Sequence, residues 1–196
     1  MINSSRDAAW VIVDTALAPV RLAEFCRDLE RLYRINPYLE FRYWRPRPDG
    51  GIDAAWRNHS NGHEFKLRLT PARESPESFE VRYDRGIKRS THVEITPVPG
   101  GSRMKIIDHY TEAITADSPD LAEVDRSLHA WGVALQDYLR RDASWGRFAL
   151  WRWYMRRVWV PMKPTARRIT FIILLVTLAE VALFALVMAI YWLEVE

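Results

Sequence analysis

Hydrophobic positions alternate through the first half of the chain, recur at helical spacing in two stretches, and merge into one continuous apolar run near the C-terminus. Residues 8–18 are rich in β-branched side chains and read as a first strand. Pro19 then opens a helical stretch, since its fixed φ and missing N–H suit a first turn. Leu22, Phe25, Cys26, Leu29, Leu32 and Tyr33 follow at helical spacing until Asn36-Pro37 stops the run.

Six segments of period two come next, separated by turn chemistry. Their apolar positions are Leu39, Phe41 and Tyr43; Ile52, Ala54 and Trp56; and Phe65, Leu67 and Leu69. Phe79, Val81 and Tyr83 follow, then Thr91, Val93 and Ile95, and a last strand over residues 103–115. One apolar face and one polar face describe an antiparallel sheet buried on a single side. After the turn at residues 116–119, a long helix runs to about Arg141, with Leu121, Val124, Leu128, Trp131, Leu135 and Tyr138 on one stripe against Glu123, Arg126 and Asp137. The predicted fold class is α+β, a β-α-α-β6-α domain over residues 1–141.

Residues 169–193 then contain no Lys, Arg, Asp, Gly or Pro, and a single acid, Glu180. As a helix this run would be roughly 37 Å long at 1.5 Å per residue, enough to cross a hydrocarbon core of about 30 Å with some tilt. Composition is otherwise ordinary for a globular protein, with 48% apolar and 27% charged residues, and the lone Cys26 excludes an internal disulfide. The net charge of +3 hides a segregation. Residues 1–139 carry 19 basic against 21 acidic groups, residues 140–168 carry nine against one, and the remainder carries three acids. The positive-inside rule therefore predicts residues 1–168 on the cytoplasmic side of an inner membrane, with 194–196 as a short tail beyond it. The polar start (Met1-Ile2-Asn3-Ser4-Ser5-Arg6) lacks the apolar core of a signal peptide, so a tail-anchored, single-pass topology is expected.

Residues 142–168 read as a membrane-surface helix and linker. Trp145, Trp151, Trp153 and Trp159 stand among Arg147, Arg152, Arg156 and Arg157. Phe148, Trp151, Met155, Val158 and Trp159 share one side of a helical wheel, the side expected to lie on the bilayer. Indole rings favour the headgroup layer, and each basic side chain near an anionic surface is worth about 1 kcal/mol. Pro161 and Pro164 break the chain before the span. Such a segment also suits phosphates and bases, but its attachment to the apolar run argues for lipid and against nucleic acid.

The order of elements, residues 15–32 with the following Asn36-Pro37, the segment Gly100-Gly-Ser-Arg-Met-Lys-Ile-Ile107 and the terminal long helix resemble the START/polyketide-cyclase-like (SRPBCC) superfamily of helix-grip proteins. The resemblance covers about residues 8–141. It implies a curved sheet gripping the long helix around an apolar cavity that takes lipids, sterol-like molecules, polyketides or quinones. The family holds transfer proteins, receptors and some enzymes, so the fold leaves activity open.

On that frame Phe41, Tyr43, Trp56, Phe65 and Phe79, with Tyr83, Tyr110 and Trp131, are the candidate ligand contacts, each also an ordinary core residue. Asp108 is the informative polar position. Period two carries it inward with Met104, Ile106 and Tyr110, where a carboxylate would meet a ligand hydroxyl, act as acid or base, or pair with a nearby Arg. No metal site or cofactor is expected. His59 and His63 flank a Ser-Asn-Gly turn rather than sharing a helix face, and Cys26 belongs to an apolar stripe. Glu180, twelfth of 25 in the span, with Ala182, Ala185 and Ala189 on the opposite side, suits docking against a second helix, in a homodimer or with another integral membrane protein. The expected function is membrane-tethered binding, with possible transfer, of a hydrophobic small molecule. The alternatives are an accessory or assembly subunit of a membrane complex and, less favoured, a cyclase- or dehydratase-type enzyme.

Overall fold

The computed structural model describes the backbone of residues 3–5, 8–110 and 119–195. Alternation is realised there as one antiparallel sheet of eight strands in the order β1-β2-β8-β7-β6-β5-β4-β3. The strands are β1 (Asn3–Ser5), β2 (Ala8–Thr15), β3 (Leu39–Pro46), β4 (Ile52–Asn58), β5 (Glu64–Ser75), β6 (Ser78–Tyr83), β7 (Lys88–Val98) and β8 (Gly101–Tyr110). Short hairpins join β3 through β8, so neighbours in sequence pair in space. The one long connection, β2 to β3, crosses the sheet through α1 (Pro19–Arg27) and α2 (Leu29–Arg34). The three-residue β1, which pairs with β2, adds an edge strand to the seven that alternation predicts.

The helical stretch after Pro19 divides at Asp28. Asp28 Oδ1 accepts from the Arg31 amide at 3.1 Å and so starts a second helix at a new angle. The long helix α3 (Pro119–Trp145) packs on the inner face of the sheet through Leu128, Trp131, Leu135, Tyr138 and Leu139. Its closest approach to β2 is at Gly132, where a Cβ would stand 2.3 Å from a Val11 methyl. Trp131 Nε1 donates to the Leu32 carbonyl at 3.0 Å, tying α3 to α2. The expected continuation of the last strand to Thr115, the turn at 116–118 and the side chains of Leu121, Glu123, Val124 and Arg126 lie outside the described residues, as do those of the 194–196 tail.

Helix α3 runs four residues past the expected end at Arg141. It is followed by α4 (Ala149–Tyr154), whose ladder widens into a π-helical turn, Met155–Trp159. Two compact units result, Met1–Pro161 and Met162–Glu196, so residues 142–161 belong with the sheet rather than to a separate surface segment. The side expected to lie on a bilayer is largely turned inward. Met155 and Val160 are buried, Trp151 and Trp159 pack against the core, and the Trp159 ring is 5.8 Å from that of Tyr138. This correction has a plain cause: the outer end of α3 presents apolar surface, and the following segment covers it. Trp145, Phe148, Leu150 and Trp153 stay exposed, as do Arg147, Arg152, Arg156 and Arg157.

In the second unit, α5 (Pro164–Val195) is one helix of 32 residues. Its large apolar side chains are exposed all round, and over Pro164–Leu193 it is long and apolar enough to cross a membrane.

Candidate functional site

Four elements bring polar side chains to one end of the interior. On β8, Met104, Ile106, Asp108 and Tyr110 face inward and are buried, as period two requires. Thr91 of β7 pairs with Asp108 in register, so its side chain shares that face. The register then shifts by one residue between Lys88 and Ser90, which places Lys88 opposite Tyr110. This bulge turns Lys88 inward where strict alternation would turn Arg89. Tyr83 arrives from the end of β6 and Tyr33 from α2.

These side chains form one chain of contacts. Lys88 Nζ lies 2.6 Å from Asp108 Oδ2, and the Thr91 hydroxyl donates to Asp108 Oδ1 at 2.5 Å. Tyr83 Oη is 2.8 Å from Thr91 Oγ1, and Tyr33 Oη is 2.6 Å from Tyr83 Oη. The Asp108 side chain is 2% exposed and that of Lys88 30%, so the ammonium reaches the carboxylate from the wetter side. Burial pushes the Tyr33 and Tyr83 phenols above the ordinary tyrosine range, and the Asp108 charge adds to the rise. Both are neutral hydroxyls at physiological pH. A buried ion pair adds little net stability over well-packed apolar residues, because desolvation offsets the attraction. Its presence among buried aromatic and aliphatic side chains marks a candidate site.

A cavity of about 80 Å³ adjoins this chain. Leu39, Trp56, Phe65, Leu67, Leu128 and Trp131 form its apolar walls, Tyr33, Tyr83, Lys88 and Asp108 one polar side, and Asn36, Asn58, Asn61, Arg85 and Ser127 further polar lining. Asn58 and Asn61 of one hairpin and Arg85–Ile87 of another line its end. Gly86, with φ of +101°, makes the second of these turns in a conformation other residues rarely adopt. A cavity of about 150 Å³ holds benzene, so the space takes several waters or the head of a larger molecule.

Of the residues expected at the site, Trp56, Phe65, Tyr83, Asp108 and Trp131 line the cavity. Phe41, Tyr43, Phe79 and Tyr110 do not. A register shift between Phe41 and Tyr43 reverses the alternation of β3, so Trp44 takes the inner position expected for Tyr43. Trp44 lies 5.7 Å from the Phe41 ring and 5.8 Å from Tyr33, while Tyr43 sits on the outer face under the Arg45 guanidinium. Phe41 itself packs on Trp56 at 5.3 Å, with the Arg34 guanidinium over its ring at 5.1 Å. Phe79 borders a separate space of about 200 Å³ beneath α1 with Cys26, Leu29 and Ile95. Tyr110 is buried in the core beyond Asp108. The pattern missed Tyr33, Thr91 and Lys88. Tyr33 and Thr91 were visible as inward positions and read as packing, whereas Lys88 depends on the bulge.

The same α2 carries a second polar cluster. Arg31 Nε donates to Tyr138 Oη at 2.8 Å, its Nη2 donates to the same oxygen, and Nη2 lies 3.5 Å from Asp142 Oδ1. The guanidinium also stands over the Phe25 ring at 4.8 Å and the Tyr138 ring at 5.0 Å. Cys26 is a core residue: its Sγ is 3.5 Å from Met104 Sδ, and burial pushes its pKa up to about 12. His59 Nε2 contacts Glu40 at 2.9 Å across the β3–β4 edge. Among the described residues no cluster of His, Cys, Asp or Glu could hold a metal ion.

No protein-family model and no curated protein matches the chain. Solved structures do. A START superfamily protein from Mycobacterium smegmatis superposes with a TM-score of 0.53 at 12% identity, covering 68% of this chain and 97% of its own. A protein from Arthrobacter aurescens gives 0.53 at 12% identity, covering 71% and 90%. One from Rhodobacter sphaeroides gives 0.51 at 16% identity, covering 71% and 96%. Sheet, crossing helices and gripped long helix together make residues 8–145 a helix-grip domain, the fold this chain shares with a START superfamily protein.

Proposed function

We propose that this chain binds a small hydrophobic molecule through its polar head, in the cavity between the sheet and α3, while α5 tethers it to a membrane. The observation that carries this reading is the carboxylate–ammonium pair and the two phenols set beside aromatic and aliphatic walls in one cavity. Burying them against aromatic walls has little packing value and supplies orientation to a ligand whose remainder is apolar. That one of the similar structures is a START superfamily protein supports the same reading. The size of the cavity favours a ligand that inserts its head and leaves its bulk at the hairpin end. A lipid, a sterol-like molecule and a quinone all have that form.

The basic flank of α5 favours the cytoplasmic side for residues 1–168, and the exposed Trp145, Leu150 and Trp153 beside Arg147, Arg156 and Arg157 suit contact with an anionic surface. Native mass spectrometry of the full chain, purified from its membrane in a mild detergent, tests the ligand. A small-molecule adduct is expected, and it disappears in Leu128→Trp, which fills the cavity. A protein without adduct in every detergent, with no small-molecule response in NMR screening, overturns the reading. A second reading rests on Glu180, which places an ionisable group mid-way along α5: the helix docks to another membrane protein, and the domain serves assembly. A photocrosslinker at Ala182 or Ala185 that captures one specific membrane protein supports it.

A further inference from the structure

Each hydroxyl in the chain Tyr33–Tyr83–Thr91–Asp108 has one proton, and that fixes the direction of every bond in it. Asp108, a carboxylate against the Lys88 ammonium, offers only lone pairs. Thr91 therefore gives its proton to Oδ1 across the 2.5 Å contact. Thr91 Oγ1 can then only accept at its 2.8 Å contact, which makes Tyr83 the donor there. Tyr83 has no second proton, so the 2.6 Å contact with Tyr33 is donated by Tyr33. The opposite order would press two sets of lone pairs together at 2.5 Å. Tyr33 thus ends the chain with no proton to give, and it is part of the cavity wall.

We propose that this end makes the cavity selective for ligands whose head carries a hydrogen-bond donor, an alcohol or phenol hydroxyl, over a carbonyl of the same shape. The proposal rests on the ligand-binding reading above and divides its candidates: sterol-like and other hydroxylated molecules are preferred, and quinones in the oxidised form are the weaker ligands. A hydroxyl donates to Tyr33. At Tyr33 a carbonyl sets its lone pairs against those of the phenol, and Tyr33 can turn its proton to it only by breaking the bond to Tyr83, which leaves a buried oxygen unsatisfied; a carbonyl head must turn instead to donors elsewhere on the lining, the Lys88 ammonium and the Asn36 amide.

The test uses the full chain in a mild detergent with cyclopentanol and cyclopentanone as shape-matched probes, titrated by saturation-transfer NMR. The alcohol is expected to bind about tenfold more tightly. Tyr33→Phe removes the difference. Asp108→Asn reverses it, because an amide N–H donates to Thr91 and turns every bond in the chain, so that Tyr33 becomes a donor to the ligand. Thr91→Val cuts the chain without changing shape and serves where Asp108→Asn does not fold; it too abolishes the preference. A ligand-free measurement stands beside these: with tyrosine labelled in 13C, the Tyr83 hydroxyl proton shows an NOE to the Thr91 methyl. Equal affinities for the two probes, or a Tyr83 proton directed at the Tyr33 ring, overturn the proposal. Binding of neither probe with the NOE to Thr91 present overturns the ligand-binding reading, and the selectivity with it, and leaves the proton order standing.

Discussion

Two side chains from one short helix, Arg31 and Tyr33 of α2, enter the interior in different directions and end in different kinds of network. Arg31 is closed off. Its guanidinium is shared among the Tyr138 hydroxyl, the Asp142 carboxylate and two aromatic faces, and ties α2 to the outer half of α3. Tyr33 belongs to a line that begins at an ion pair and stops at a cavity wall. A network that ties two helices together fixes structure, and one that reaches a cavity wall can also meet a ligand. Burial alone does not separate them, since Arg31 is 8% and Tyr33 3% exposed; what separates them is where each leads, one to the side chains of α3 and the other to the cavity.

Breaking each network should therefore give opposite signatures. Arg31→Ala removes a buried cation that several groups were arranged around, and is expected to cost about 3 kcal/mol in urea unfolding of the full chain while leaving probe selectivity untouched. A loss of selectivity there would mean the two networks are coupled through α2. Thr91→Val is expected to cost about 2 kcal/mol, since it strips a donor from Asp108 and an acceptor from Tyr83 inside the protein, and to abolish selectivity. Leu128→Trp should leave stability within about 1 kcal/mol, as filling offsets crowding, and eliminate probe binding. Asp142→Asn should be the mildest: its side chain is 23% exposed and sits 3.5 Å from Arg31, so a change of about 0.5 kcal/mol is expected.

Alkali sharpens the contrast further. The Tyr33 and Tyr83 phenols hold their protons above the ordinary tyrosine pKa because burial disfavours the anion. Their contribution to stability is whole below about pH 10, the unfolded value, and declines as pH rises above it toward the folded value. Tyr33→Phe should make that decline shallower, measured by denaturation between pH 8 and pH 11. At Tyr138 burial also raises the pKa, but the Arg31 charge and hydrogen bond oppose it, so the closed network is the less sensitive of the two to alkali.

Much of the architecture was legible because the alternation of β2, β4 and β8 and the stripe on α3 are regular. Val11 and Val13, Ala54 and Trp56, and Met104 through Tyr110 all face the side their parity predicts. Asp108 was found by the same rule. What escaped is traceable to single residues. The register shifts after Phe41 and after Lys88 each reverse parity for the residues beyond them, exchanging Tyr43 for Trp44 and Arg89 for Lys88. No periodic rule sees a bulge, because the extra residue looks like any other member of the strand. The aromatic side of residues 145–159 was misdirected for a different reason. A helical wheel shows that Trp151, Met155 and Trp159 share a face, but the exposed end of α3 that they cover is known only once the helices are in place.

The hairpins at the cavity's end carry a consequence for time rather than for affinity. The space beside them has about half the volume of a cavity that holds benzene, so a guest of that size, the two five-membered-ring probes included, requires Asn58–Asn61 or Arg85–Ile87 to give way. Arrival is then set by how often the wall opens, a property of the protein and not of the guest. Chemically different ligands would share one association rate and differ in residence time alone, and a substitution that stiffens the Gly86 turn would slow exchange for all of them together.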